Sequence, residues 1–220
     1  MQLNFKDLQY VIGTPETVEA MKDVRELRPF DDKVIAFLND LSIILRKNRA
    51  YPDVATFGFW CRKQALLQEK AKYDDIGERL GKGIVFHSTP SNVAVNFAFS
   101  FAAGLLAGNA NIVRLPGKDY EQVRIISEAI DELLRTMHQV LSPYVVFVRF
   151  PPVQEITDTF SGICNVRVIW GGDLTVAELR NSKIPARTTE ITFADRHSIA
   201  VIDADAYLAA ENKNTIIQSF

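Results

Sequence analysis

Residues able to bind a nucleotide gather in the stretch 83–118, GIVFHSTPSNVAVNFAFSFAAGLLAGNANIVRLPGK. Its pattern predicts a strand over Gly83–His87, an apolar helix over Asn92–Ala107 that stops at Gly108, and a second strand over Asn111–Leu115. In open α/β sheets, ligands bind beyond the carboxyl ends of the strands. This βαβ unit therefore predicts a binding site in the residues that follow its two strands, although it lacks the usual Gly-x-Gly-x-x-Gly.

The turn Pro90-Ser91-Asn92 lies between the predicted strand and the predicted helix. Backbone N–H groups at the start of a helix favour a negative charge nearby. An Asn side chain held at that position can donate a hydrogen bond to a developing oxyanion. The alternative is that Ser91 or Asn92 only caps the helix, and the local sequence favours this plainer interpretation.

Two further turns offer groups for a phosphate. Arg114 ends the second strand and Lys118 follows shortly after it, so the two cations could hold a ribose phosphate, or could be ordinary solvated charges. After a strand predicted over Val166–Trp170, Gly171 and Gly172 would let a ligand approach the backbone closely. Asp173 is predicted to cap the helix that follows.

Other reactive residue types are given structural interpretations. Glu190 alternates with apolar residues in a strand predicted over Thr188–Phe193; it could be a general base, but a strand Glu on a polar face is commoner. Cys61 lies in a helical stretch beside Trp60 and Arg62, and Cys164 lies just before a strand in an apolar setting that raises a thiol pKa. Both are predicted to be packed thiols. The three histidines form no recognisable metal-ligand pattern, so no metal is expected.

Composition limits the class of protein. The chain has 220 residues, 47% hydrophobic and 24% charged, with a net charge of −2, which argues against a nucleic-acid binder built on a broad basic face. Two cysteines give neither a disulfide framework nor a zinc site, which suits a reducing compartment and predicts a cytoplasmic location. The most apolar segment, Val93–Ala107, is shorter than the roughly 20 residues that span a bilayer, so no membrane span is predicted.

The order of elements predicts two parts. Residues 1–82 are predicted to form a helical segment, with helices over Val34–Lys47 and Thr56–Lys72, that packs on an α/β domain formed by residues 83–220. From residue 83 onward strands and helices alternate, which predicts a mostly parallel sheet with helices on both faces. The remaining predicted elements are a helix over Lys118–Leu141, a strand over Tyr144–Phe150, a helix over Pro151–Ser161, a helix from Asp173 to about Asn181, a strand over Ser198–Ile202 and a helix over Tyr207–Phe220.

The apolar last residues suggest a chain cut inside a larger protein; a final helix docked on the core is the alternative.

Taken in order, these motifs resemble the aldehyde dehydrogenase superfamily and, more closely, the acyl-CoA reductase (LuxC-like) family. The phrases that carry the resemblance are HSTPSNVAVNFAFSFAAGLLAGNANIVRLPGK, VRVIWGGDLTVAELR and RTTEITFADRHSIAVI. The resemblance implies an aldehyde-dehydrogenase-like, three-layer, Rossmann-type parallel sheet with an N-terminal helical lead-in. It also implies NADPH-dependent reduction of a fatty acyl thioester, acyl-CoA or acyl-protein, to an aldehyde through a cysteine acyl-enzyme.

The resemblance assigns roles to residues. Asn92 matches the oxyanion-stabilising Asn, and Gly172 matches the residue whose backbone faces the pyrophosphate. Gly117 replaces an acidic residue that often binds the ribose hydroxyls, and with Arg114 and Lys118 nearby this favours NADPH, with NADH left open. The full set expected at the cofactor is Ser88, Thr89, Pro90, Arg114, Pro116, Gly117, Lys118, Gly171, Gly172 and Asp173.

The sequence departs from the superfamily pattern in two places. The usual Glu-Leu-Gly-Gly is replaced by Ile191–Asp195, so Glu190 is not equated with the superfamily's general base. The nucleophilic Cys is expected beyond residue 220, so this chain alone should be inactive. A non-catalytic nucleotide-binding or interaction protein that retains the fold, and a reductase of another activated acyl group such as an acyl phosphate, stay open as alternatives. A homo-oligomer is a further expectation of the resemblance.

Overall fold

A six-stranded mixed sheet forms the centre of the molecule. The computed structural model describes residues 3–194, 199 and 201–214. The strands are β1 (Gln9–Ile12), β2 (Ile84–Ser88), β3 (Ala110–Arg114), β4 (Val145–Arg149), β5 (Val166–Trp170) and β6 (Thr189–Phe193). Their order across the sheet is β1-β4-β3-β2-β5-β6, with β1 antiparallel to β4 and all the other pairs parallel. The predicted α/β class is confirmed.

The helices connect and flank these strands. They are α1 (Pro15–Ala20), α2 (Asp32–Leu45), α3 (Pro52–Trp60), α4 (Lys63–Lys70), α5 (Asn96–Leu106), α6 (Glu121–Thr136), α7 (Gln154–Ile163), α8 (Asp173–Leu179) and α9 (Ala204–Ala209), with 3₁₀ turns at Ile76–Glu78 and Gln139–Tyr144. No helix in the part of the chain that the structure describes is long and apolar enough to cross a membrane.

Helices lie on both faces of the sheet because successive residues of a strand point to opposite sides. On one face, His87 of β2 and Phe147 of β4 contact α5, and α2 packs across α5 and α6. On the other face, Phe86 of β2 contacts Phe160 of α7, and Ile169 of β5 packs with α8. This arrangement makes three layers with the sheet in the middle.

The N-terminal part contributes more than helices. Strand β1 joins the edge of the sheet beside β4, which the sequence did not predict because four residues with little alternation give a weak strand signal. Backbone hydrogen bonds from Leu27 and Phe30 to Gly108 and Leu106, and from Gly81 back to Leu27, tie this part to the end of α5. The N-terminal residues and the sheet share one hydrophobic core. The division at residue 82 stays a prediction.

Several predicted boundaries are wrong. Helix α5 begins at Asn96 with Val95 as its N-cap residue, so neither Ser91 nor Asn92 caps it. The predicted helix over Thr56–Lys72 is two helices, α3 and α4, which meet at Cys61.

Further differences lie later in the chain. Helix α6 ends at Thr136, so His138 lies outside it and pairs with Asp40 at 2.9 Å. Ile199, Val201 and Ile202 are not in a strand, and the other residues of that predicted strand lie outside the described residues. Of the last predicted helix, the structure has α9, which begins at Ala204, and residues 215–220 lie outside the described part.

Gly104 sets how closely α5 approaches the sheet. A Cβ at this position would lie 2.1 Å from Asn111 Oδ1 and 3.0 Å from His87 Nε2, both on buried side chains. Only a residue without a side chain lets the helix lie this close to β2 and β3.

We expect Gly104→Ala to destabilise the protein by about 1–3 kcal/mol, because overpacking displaces Asn111 and outweighs the better helix propensity of Ala. The measurement is the midpoint of urea unfolding. Gly162→Ala is the matched control, since nothing lies within 4 Å of a Cβ there, and it should leave the midpoint unchanged or slightly raised. Equal midpoints for wild type and Gly104→Ala would contradict the packing argument.

Candidate functional site

The carboxyl ends of the parallel strands bring the predicted site positions to one edge of the sheet. Ser88, at the end of β2, pairs with Arg114 of β3 on one side and with Ile169 of β5 on the other. From β2 the chain proceeds through β3 and β4 in one direction, while β5 and β6 extend the sheet in the other. The gap between β2 and β5 is thus a topological switch point, where open α/β sheets bind their ligands.

The loop after β2 crosses this edge. Thr89 Oγ1 donates to the carbonyl of Arg114 at 2.6 Å, and Tyr120 OH donates to the carbonyl of Ser91 at 3.2 Å. The loop is therefore held on both sides before α5 begins. Asn92 is exposed, and its amide makes no hydrogen bond to another described residue. An amide that caps nothing keeps its donors free for a ligand.

Arg114 places a positive charge at the edge without an acidic partner. Its guanidinium lies over the ring of Phe150 at 4.5 Å, and Nη2 donates to the carbonyl of Phe150 at 3.3 Å. Burial lowers the pKa of Arg114 from its ordinary value, yet an arginine stays protonated in proteins. Within the described part of the chain it forms no ion pair. The charge is held in position but is not neutralised.

The turn after Arg114 leaves room beside it. Pro116 is buried and fixes the turn, while Gly117 and Lys118 are exposed. Nothing lies within 4 Å of the position that a Cβ of Gly117 would take. The space and the two cations fit an anionic group with several oxygens.

The turn after β5 differs from the sequence prediction in the residue that caps α8. Gly171 donates its N–H to the carbonyl of Phe193 at 3.2 Å, and a Cβ on it would lie 2.8 Å from Thr175 Cγ2. Gly172, not Asp173, is the N-cap residue of α8, so the predicted capping role of Asp173 is wrong. Asp173 instead lies in the first turn of the helix. A side chain at Gly171 would fill this turn.

A chain of hydrogen bonds runs through the buried residues behind the edge. Trp170 Nε1 donates to Ser100 Oγ at 3.0 Å, Ser100 Oγ contacts His87 Nδ1 at 2.8 Å, and His87 Nε2 lies 3.0 Å from Asn111 Oδ1. Asn111 Nδ2 donates to the carbonyl of Asn109, so its Oδ1 must accept. His87 therefore carries a proton on Nε2. Burial lowers its pKa to about 4, against a smaller opposite effect of Asn111.

Glu190 belongs to a structural ion-pair network. Its Oε2 accepts from Nε and Nη2 of Arg167, at 2.9 and 2.5 Å, and its Oε1 accepts from Arg180 Nε at 2.8 Å. Arg167 is only 2% exposed and also donates to the carbonyls of Leu179 and Ser182. Burial raises the pKa of Glu190, but the pairs with Arg180 and Arg167 outweigh it, so the net shift is downward. A carboxylate so engaged is not a free general base.

Sequence reasoning missed an apolar cavity of about 620 Å³ on the face of the sheet that carries His87. Alternate residues of β5 and β6 line it, and the rings of Trp170 and Phe193 stack within it at 3.8 Å. The period-two alternation in VRVIW and TEITF is the signal that could have revealed this face. None of the predicted cofactor-site residues lines the cavity. The candidate cofactor site is therefore the edge of the sheet, where the charged groups are.

The cysteines are both free and buried. Burial raises the pKa of Cys61, and it raises the pKa of Cys164 to about 11. Neither thiol is available as a thiolate near neutral pH. Among the described residues, no group of three His, Cys, Asp or Glu side chains could hold a metal ion.

Comparison with known proteins shows which family and which fold the chain matches. The family model described as acyl-CoA reductase (LuxC) matches residues 15–217. No curated protein matches. Among solved structures, a lactaldehyde dehydrogenase has a TM-score of 0.58 at 14% identity, over 80% of this chain and 42% of that chain.

Two other solved structures have lower scores. A putative aldehyde dehydrogenase from Burkholderia cenocepacia has a TM-score of 0.49 at 16% identity, over 81% and 39% of the two chains. A 3,6-anhydro-L-galactose dehydrogenase in complex with NAP has a TM-score of 0.47 at 13% identity, again over 81% and 39%. The chain thus spans about two fifths of the length of these proteins. The family resemblance and the aldehyde-dehydrogenase fold predicted from the sequence are confirmed.

His87 should make the stability of the protein depend on pH. An unfolded imidazole binds a proton near pH 6.5, whereas the folded one does so only near its pKa of about 4, so stability falls as the pH drops between these values. We expect a loss of about 2 kcal/mol from pH 7.5 to pH 5. Urea unfolding at both pH values measures it. His87→Gln should remove this loss and His138→Gln should retain it; the same pH dependence in His87→Gln would contradict the assignment.

Glu190→Gln distinguishes a structural role from a catalytic one. Removing the charge leaves buried Arg167 without its ionic partner, and we expect a destabilisation of about 3 kcal/mol. Because the folded pKa of Glu190 is lowered, its stabilising contribution is fully present above the ordinary glutamate pKa of 4.5 and is lost as the pH falls through the folded value. The variant should therefore show a weaker loss of stability in acid. If Glu190→Gln has the same unfolding midpoint as the wild type at every pH, the structural role is overturned.

Proposed function

Because the chain belongs to the acyl-CoA reductase (LuxC) family, we propose that it forms the cofactor-binding part of an enzyme that reduces a fatty acyl thioester to an aldehyde with NADPH. The observation that carries the proposal is the charge of Arg114 at the switch-point edge, which has no acidic partner among the described residues. Because the chain spans about two fifths of the solved structures it matches, the activity of a whole reductase belongs to the proposal.

The residues at the edge fit a dinucleotide with a 2′-phosphate. Arg114 and exposed Lys118 would hold the phosphate, and Gly117 leaves space where a carboxylate would repel it. Ser88, Thr89, Pro90 and Pro116 shape the rim, and the turn Gly171-Gly172-Asp173 would lie along the rest of the cofactor. When bound, NADPH would supply the hydride that the acyl carbon accepts.

The acyl group requires a thiol from outside these residues. The proposed thiolate attacks the thioester carbon and releases CoA or the carrier thiol, and after reduction it is regenerated as the aldehyde leaves. Cys61 and Cys164 cannot play this part because they are buried and their pKa values are raised. Asn92, with its free amide, would donate to the oxygen of the acyl group as negative charge develops there.

The proposal does not require a general base in this chain. Reduction of an acyl-enzyme involves no hydrolytic water, so no group is needed to activate one. The ion-paired state of Glu190 is consistent with this chemistry. The polar groups that stay free at the edge, Asn92 and the two cations, are those that an acyl oxygen and a phosphate would use.

Titration of this chain with NADPH and NADH tests the cofactor proposal. We expect tighter binding of NADPH, and we expect Arg114→Ala to weaken NADPH binding about tenfold or more while changing NADH binding little, because a charged hydrogen bond contributes about 1.5–3 kcal/mol. The change in intrinsic protein fluorescence on binding can follow the titration.

Arg135→Ala is the matched control. Arg135 is an exposed arginine at the end of α6, paired with Asp131, and its loss should leave both affinities unchanged. Circular dichroism of Arg114→Ala checks that loss of the contact with Phe150 has not unfolded the edge. Equal affinities for the two cofactors, unaffected by the substitution, would refute the phosphate site.

A further inference from the structure

Five cations and one acid occur in residues 46–63, whereas the whole chain has a net charge of −2. The cations are Arg46, Lys47, Arg49, Arg62 and Lys63, and all five are exposed. None of them forms an ion pair with another described residue. The single acid, Asp53, accepts a hydrogen bond from Gln122. None of these five cations is therefore neutralised by an ion pair within the described structure.

An exposed aromatic ring lies among these cations. Phe59 of α3 is 48% exposed, and the guanidinium carbons of Arg46 and Arg62 lie 5.6 and 5.2 Å from its ring centroid. Gly58 makes the contact with Arg46 close, since a Cβ there would lie 2.9 Å from the Arg46 amide nitrogen. Arg62 Nε donates to the carbonyl of Phe59 at 2.9 Å. Helix packing thus fixes the ring between two positive charges.

Helix α2 extends this surface. Asn39, Ile43 and Arg46 follow one another at helical spacing on one side of the helix. Asn39 Oδ1 accepts from the backbone of Lys63, and Ile43 is 44% exposed. We call this surface the cationic patch: Ile43, Arg46, Lys47, Phe59, Arg62 and Lys63. It alternates apolar side chains with cations.

We infer that the cationic patch binds the surface of a membrane rich in anionic lipids. Lys and Arg near such a surface are attracted by its negative potential, and exposed Phe and Ile side chains enter the boundary between headgroups and acyl chains. Stable binding needs both signals together, and the patch supplies both. The apolar cavity beside His87 does not include Phe59, and the side chains of the patch are exposed, so a flat surface fits better than a small ligand.

The inference does not rest on nucleotide binding. The patch lies on α2, α3 and the start of α4, whereas the proposed cofactor site lies at the carboxyl edge of the sheet. NADPH affinity should be the same in the patch variants as in the wild type. Failure of membrane binding and failure of cofactor binding can therefore be told apart.

Flotation of the chain with vesicles tests the inference. Vesicles of phosphatidylcholine mixed equally with phosphatidylglycerol should bind the protein, and vesicles of phosphatidylcholine alone should not. Each cation near an anionic leaflet strengthens binding about fivefold, so Lys47→Ala combined with Lys63→Ala should weaken binding about 25-fold. No binding to the anionic vesicles, or equal binding to both kinds, would overturn the inference.

Two comparisons distinguish binding through the cationic patch from binding through net charge alone. Lys183→Ala combined with Arg187→Ala removes the same charge from exposed residues elsewhere and should change binding less than twofold. Phe59→Ser should weaken binding about fivefold, because half of an aromatic side chain no longer enters the boundary. Ile43→Ser is the second variant that removes an apolar side chain from the patch. Circular dichroism checks that each variant is folded.

The outcomes are distinct. If the control pair weakens binding as much as the patch pair, net charge explains the binding and the patch is not the site. If both apolar variants fold and bind as tightly as the wild type, the attraction is purely ionic. An acidic protein surface would then serve equally well, and the lipid assignment fails.

Discussion

The close approach of α5 to the sheet is the constraint on which the rest of the structure depends. Gly104 lets the helix lie against Asn111 and His87, and the hydrogen bonds from Trp170 through Ser100 and His87 to Asn111 join β5, α5, β2 and β3. A buried imidazole would be costly if charged, but each of its nitrogens has a partner while it stays neutral. The central strands are held in register with their connecting helix directly behind the edge that carries the proposed cofactor site.

Polar groups in this chain fall into two kinds. Glu190, Arg167 and His87 are hydrogen-bonded to residues of neighbouring elements, so they stabilise the arrangement of strands and helices. Asn92, Arg114 and Lys118 lie at the carboxyl edge without acidic partners among the described residues. The proposed function uses the second kind. The difference between paired and unpaired groups follows from side-chain contacts. The residue type alone does not show that Glu190 is ion-paired and that Arg114 is not.

The N-terminal part is integrated with the sheet and also presents a surface of its own. Strand β1 extends the sheet and α2 packs on α5 and α6, so these residues stabilise the sheet and its connecting helices. Their outer side carries the cationic patch. An enzyme acting on fatty acyl groups works with amphiphilic molecules, and a surface that binds anionic lipid would bring the edge of the sheet near their source. This combination depends on both proposals, which stand on separate residues.

The sequence alone determined the alternation of strands and helices from residue 83, the mostly parallel sheet, the family, and the turns that meet at the edge of the sheet. Hydrophobic periodicity and turn-forming Gly, Pro and Asn residues are local signals, so they can be read without the tertiary structure. It did not determine that α5 begins four residues after Asn92, that β1 joins the sheet, or that Glu190 pairs with Arg167 and Arg180. Those features depend on contacts between residues far apart in the chain. Only tertiary packing decides which donor meets which acceptor, and so which polar groups remain free for a ligand.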